Sequence, residues 1–239
     1  MAGDKIIALR LAYLGWEYHG IVKQPGLRTI QQELEKALLE QGVKAKLRFT
    51  SRTDKGVSAI DNVAIFRGPK PTISRLNSSL PDDITVWAVS AIDKPVAPLK
   101  KTYLYVIPFK VDVNRLTNEI ARSFREARLC KEGKAPLPDQ YRVERANGYT
   151  KVFISGRSFC WQMIRRIIGF ALSHAIGIKM DLAPPEPLVL IKTELPIKWE
   201  EFYYKKLIRI KNFLEKESWR WVMRLELIAA LDAVISLEQ

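Results

Sequence analysis

Between Lys5 and Phe109 the chain runs through apolar segments in one order, and that order narrows the fold more than anything else in the sequence. Lys5 to Tyr13 alternates apolar and mixed residues with the two-residue period of a strand. A loop carrying Gly, Tyr, Trp and His fills Gly15 to Arg28. Thr29 then stands where a helix N-cap belongs, with Gln32 at the capping-box position. Ile30, Leu34, Ala37, Leu38 and Gln41 line one side of the helix that follows. Lys46 to Thr50 and Ile60 to Phe66 read as strands, Ile73 to Ser79 as a short helix, and Ile84 to Ile92 and Thr102 to Phe109 as strands. Strand, helix, strand, strand, helix, strand is the split βαβ arrangement of ferredoxin-like folds.

The second part continues in the same class. Val111 to Leu129 reads as a helix and Glu132 to Pro138 as a Gly/Pro linker. Tyr141 to Arg145 and Val152 to Ser155 form a strand pair around Asn147-Gly148, a strong hairpin signal. Ser158 to Ile176 is expected to be helical and Leu188 to Glu194 a strand. Trp199 to Leu237 reads as one or two amphipathic helices, with Trp219 and Trp221 packing. The expectation is α+β: two halves, residues 1–100 and 101–198, sharing a continuous, mainly antiparallel sheet with a cleft between them, and a helical extension over 199–239.

Composition limits the partners. Lys plus Arg number 39 against 26 Asp plus Glu, a net charge of +13 that suits a polyanion, although a basic protein with no such partner has the same balance. No helix combines a wide apolar face with a polybasic one, and the longest apolar stretch, Ile167 to Ile178, is interrupted by Ser173 and His174 and is shorter than the ~20 residues of a membrane span. Met1 to Lys5 has no apolar signal core. Two cysteines, Cys130 and Cys160, make no framework, and Cys160 in its apolar run reads as a reduced core residue. A cytoplasmic, non-membrane protein is expected. His19 and His174 are too few and too far apart in sequence to suggest a metal site, and phosphate-loop, His-Glu-x-x-His and Cys-x-x-Cys patterns are absent.

Chemistry concentrates in Ser51-Arg52-Thr53-Asp54-Lys55-Gly56-Val57-Ser58-Ala59. One carboxylate lies between two cations, which favour its charged form. Gly56 marks a backbone that a side chain would resist. Taken alone, this is an ordinary charged turn between strands. On the helix from Ser158, a polar stripe of Ser158, Gln162, Arg165, Arg166 and Gly169 opposes an apolar one, which can present Arg165 to a cleft or simply to water. Tyr103, Tyr105 and Ile107 point to one face of their strand, usually a sign of core. Lys44, Lys46, Arg48, Lys55, Arg157 and Arg166 could meet phosphates, or be solvated surface charges.

The Asp54 loop resembles the catalytic loop of the tRNA pseudouridine synthase A (TruA) family, Gly-Arg-Thr-Asp-Ala-Gly-Val-His-Ala, with Arg52, Thr53, Asp54, Gly56, Val57 and Ala59 matching. Companion segments follow in order. Leu9 to Gly15 with Tyr18-His19-Gly20 and Gln24 resembles the first strand and loop, and Thr29 to Glu35 the first helix. Asn77 with Leu80-Pro81-Asp82-Asp83-Ile84, Lys101-Thr102-Tyr103-Leu104-Tyr105, Ser158 to Gly169, and Ala183-Pro184-Pro185 with Leu188 resemble the later motifs. The resemblance covers roughly residues 5 to 195.

It implies the pseudouridine synthase fold and an isomerase that breaks the C1′–N1 bond of uridine and rejoins C1′ to C5, with no cofactor and no metal. Asp54 would be catalytic, Arg165 its ion-pair partner, Tyr103 the ring that stacks on the target base, and Arg52 the residue that holds the extruded nucleotide. The implied substrate is tRNA at the anticodon arm, about positions 38–40, and the implied assembly a homodimer. Departures are Ser58 for the loop histidine, a segment Asp93 to Leu99 without the family's arginine, a short central insert, and no match beyond about Pro196. A non-catalytic RNA-binding protein on the same fold is the alternative. A basic scaffold subunit relying on Trp199–Gln239 is a third reading.

Overall fold

The computed structural model describes residues 5–130 and 137–218. Most of the expected linker, and Trp219 and Trp221, lie outside the described residues. The first part contains β1 (Ile6–Tyr13), α1 (Ile30–Leu39), β2 (Arg48–Phe49), β3 (Ser58–Arg67), α2 (Ile73–Ser79) and β4 (Ile84–Ile92). The second contains β5 (Lys100–Ile107), α3 (Val113–Glu126), β6 (Gln140–Arg145), β7 (Thr150–Gly156), α4 (Met163–Ile176), β8 (Leu188–Glu194) and β9 (Glu201–Phe202). Residues 205–218 are helical.

All the strands among the described residues join one nine-stranded sheet in the order β6-β7-β5-β8-β3-β1-β4-β9, with β2 paired to β3. The α+β class and the mainly antiparallel sheet are as expected. The exception to antiparallel pairing is where the two parts meet: β3 and β8 run parallel, through Ser58↔Val189 and Ala59↔Leu190. Asp61 reinforces this short seam. Its buried carboxylate accepts from the Arg10 guanidinium of β1 and, at 2.9 Å, from the backbone N–H of Thr193 in β8. Arg10 in turn lies 4.3 Å from the Trp87 ring centroid and 5.3 Å from that of Trp199.

Alternation explains the core. Ile7, Leu9, Leu11 and Tyr13 of β1, one face of a pleated strand, share one buried cluster with Ile30, Leu34, Ala37 and Leu38 of α1. Tyr103, Tyr105 and Ile107 of β5 join the same continuous cluster with Ile164, Ile167, Ile168 and Ala171 of α4. Thr29 caps α1 with the full capping box. Asp112 caps α3, accepting from the Arg115 N–H at 2.7 Å.

The strand expected over Lys46 to Thr50 spans only Arg48–Phe49, and two further corrections fall just before α4. The helix expected from Ser158 begins only at Met163, after Gln162 in a left-handed conformation (φ 62°, ψ 10°). Cys160 is not a reduced core residue: it forms a disulfide with Cys130, Cα–Cα 5.9 Å. Residues 157–162 run as a loop past the end of α3 instead of starting a helix, and that loop brings the sulfurs together. The bridge closes 30 residues of chain, so its loss should cost about 3.6 kcal/mol. Cys130→Ser is therefore expected to melt several degrees below the parent, and dithiothreitol to lower the parent to the same value without affecting the variant. Calorimetry with and without reductant checks this.

Candidate active site

The loop between β2 and β3 is held from several directions, which fixes where Asp54 points. Its turn closes through Val57 N–H to the Asp54 carbonyl at 3.2 Å, with Gly56 at φ +82°. The 15–21 segment braces it. Ile21 N–H donates to the Thr53 carbonyl at 3.1 Å, Gly56 N–H to the Tyr18 carbonyl at 3.3 Å, and Gly15 N–H to Ser58 Oγ at 2.9 Å. Ser58, where the family motif has histidine, thus serves as a buried acceptor for this brace. From beneath, the Tyr13 hydroxyl bonds Thr53 Oγ1 at 2.8 Å, and Asn62 Nδ2 donates to the Ser51 carbonyl at 2.9 Å.

Arg165, in the first turn of α4, meets Asp54 from the other part of the chain. Its Nη1 donates to Asp54 Oδ2 at 3.2 Å, and its Nε to the Ala183 carbonyl at 2.7 Å. The Arg165 side chain is 11% exposed and that of Asp54 24%. The cation is thus packed and aimed while the carboxylate keeps an open side. Arg52 and Lys55 make no ion pair with Asp54 among the described residues; both are exposed. The cation that contacts this carboxylate comes from 111 residues away, not from its own loop.

Asp54 and Arg165 stand between two adjoining hollows. One, of about 560 Å³, is lined by Arg52, Lys101, Tyr103, Phe159 and Met163 as well as by the pair. The other, of about 650 Å³, is lined by His19, Gln24, Arg52, Lys55 and Glu186 together with the pair. Tyr103 is buried in the wall of the first, edge-on to Phe159 with ring centroids 5.3 Å apart. Burial pushes its phenol up to about 12, with Ser51 opposing the rise and the Asp54 charge adding to it. It therefore stays a neutral ring at physiological pH. Tyr105 turns its hydroxyl to the Pro184 carbonyl at 3.1 Å, a packing role.

Four of the residues singled out from the sequence, Arg52, Asp54, Tyr103 and Arg165, therefore share one cavity wall, and Lys55 lines the neighbouring hollow. Arg166 does not join them. It points along α4, with Nη1 at 3.4 Å from the Arg128 carbonyl and its guanidinium 6.0 Å from the Trp161 ring centroid. Lys44, Lys46, Arg48 and Arg157 are all exposed.

Comparison with curated proteins shows the family. The chain is 31% identical to tRNA pseudouridine synthase A of Thermococcus kodakarensis over 229 aligned residues, spanning 80% of this chain and 85% of that protein. The protein of the same name from Methanothrix thermoacetophila is 31% identical over 253 aligned residues, covering 90% of this chain and 92% of the relative. The chain belongs to the tRNA pseudouridine synthase A family. No protein-family model matches the chain.

Within the tRNA pseudouridine synthase A framework, three features of this member escaped the sequence reading. Gln162, expected inside a helix, is the one non-glycine residue at positive φ among the described residues, and it borders both hollows. Such strain clusters at functional sites. Gly20 sits at φ +89°, where an added Cβ would lie 2.9 Å from the Thr53 carbonyl oxygen, so only glycine lets the brace lie this close to the loop. Lys101 lies on the buried face of β5, two residues before Tyr103. Its signal was present in the sequence: one lysine in phase with Tyr103, Tyr105 and Ile107.

Proposed function

We propose that this enzyme converts uridine to pseudouridine in the anticodon arm of tRNA, about positions 38–40, by aspartate-dependent, cofactor-free chemistry. The observation that carries the reading is the Asp54–Arg165 contact at 3.2 Å within a cavity walled by Tyr103. Asp54, kept in place by a packed arginine and open on one side, is suited to act at C1′ of the nucleotide, either as nucleophile or by taking a sugar proton. Tyr103 offers a neutral aromatic face to the uracil, and a cavity of about 560 Å³ has room for a single extruded base. Arg52, exposed at the rim, holds the flipped nucleotide, and Lys55 meets backbone phosphate. The net charge of +13 supports a polyanionic substrate. Residues 1–100 and 101–198 each supply part of the site, the protein works in the cytoplasm, and it acts as a homodimer.

The test is to incubate unmodified tRNA transcripts with the purified protein and map pseudouridine by carbodiimide-stop primer extension. Stops at anticodon-arm uridines are expected. Binding of the transcripts with no stop at any position would overturn the reading in favour of a non-catalytic RNA-binding protein.

A further inference from the structure

Lys101 is a buried cation without a counter-ion. The residue is 8% exposed, and no carboxylate pairs with it among the described residues. Its Nζ has one weak acceptor, the Thr50 carbonyl at 3.4 Å, and lies 5.9 Å from the Phe159 ring centroid. Burial lowers its pKa below the usual amine value, and no neighbouring charge offsets that. An ammonium has three donors, so this one keeps capacity unused at a site where leaving donors unmet is costly. It also lines the same cavity as Asp54 and Tyr103, on the same face of β5 as Tyr103 and roughly 7 Å along the strand.

We propose that Lys101 is a catalytic residue that donates a hydrogen bond to a carbonyl oxygen of the uracil and stabilises the negative charge the base acquires when its glycosidic bond breaks. This deepens the proposed function and rests on it. Breaking C1′–N1 leaves the electron pair on the base, spread over N1, O2 and O4, while C1′ is bonded by Asp54 or its sugar loses a proton to Asp54. When C5 joins C1′, the Asp54 carboxylate leaves C1′ or returns the proton to the sugar, C5 gives up its proton and N1 takes one, so the base ends neutral and bonded to C1′ through C5. Lys101 transfers no proton in this sequence. Its hydrogen bond strengthens as charge builds on the oxygen and weakens as charge disperses, so it acts on the transition state more than on binding. Arg165, committed to Asp54 and to the Ala183 carbonyl, is already engaged.

The experiment is single-turnover pseudouridine formation at saturating protein, with tRNA affinity measured separately, for the parent, Lys101→Met, Lys101→Gln and Lys101→Arg, each checked by thermal melting. Lys101→Met is expected to slow the step by about 10²-fold with affinity within about threefold of the parent. Lys101→Arg, which keeps charge and donors, should recover most of the rate, and Lys101→Gln should fall between. If Lys101→Met does not fold, the order Arg above Gln decides the matter. Methionine at the parental rate, a loss residing entirely in affinity, or Gln equal to Arg would overturn the role of Lys101. Absence of product from the parent protein would instead overturn the enzymatic reading itself.

Discussion

Asp54→Asn is expected to abolish pseudouridine formation, by about 10⁴-fold or more, and to leave tRNA binding and the fold in place. The asparagine keeps the size of the side chain and one oxygen that can still accept from Arg165, so the contact now at 3.2 Å need not collapse. What is lost is the negative charge and the capacity to bond C1′ or take a sugar proton. The pair is part-exposed, so the stability cost should be only about 1 kcal/mol. Single-turnover assays, band-shift binding and melting on one preparation separate these quantities. Retention of even a tenth of the parental rate would remove Asp54 from the chemistry.

Gly15→Ala is expected to destabilise the fold by direct steric clash. An alanine Cβ there would lie 2.1 Å from the Val57 carbonyl oxygen and 2.4 Å from its carbon. These are backbone atoms between the Asp54 turn and β3, and they cannot swing aside as a flexible side chain can. Either Gly15 or Val57 must move, and both movements break the Gly15 N–H to Ser58 Oγ bond. A cost of about 3 kcal/mol follows from overpacking of this kind, a fall in melting temperature of roughly 6–12 °C for a chain of this size. Activity should drop further than stability, because the displaced segment is the one that aims Asp54. Gly148→Ala is the control: nothing lies within 4 Å of its Cβ position, so only the φ of +85° resists the substitution, at about 1 kcal/mol. Equal melting temperatures for the two variants would refute the steric account.

Local pattern made much of this legible. The helix Ile73–Ser79 and the strands Ile84–Ile92 and Leu188–Glu194 lie where period and punctuation placed them. The Asp54 loop stood out because its chemistry sits in nine consecutive residues. The features the sequence did not disclose are those that depend on distant partners. Apolar periodicity continues through Cys160 and Met163, so the helix seemed to begin at Ser158. The disulfide to Cys130 and the left-handed Gln162, which delay its start, have no local signature. The strand expected over Lys46 to Thr50 shrinks to Arg48–Phe49 because pairing with β3 reaches only Ile65 and Ala64. The insertion of β8 between β5 and β3 is a matter of which strand finds which, and alternation is silent on that.

The parallel contact between β3 and β8 bears on the order in which the protein becomes competent. A ribosome releases the Asp54 loop long before it has made Arg165, and β8 follows later still. Until α4 and β8 are in place, a nascent chain has Asp54 without its contact to Arg165 and without the cavity wall that Tyr103 completes. On the proposed function, a chain without β8 would form no pseudouridine, and activity would report that the two halves of the sheet have joined in its middle.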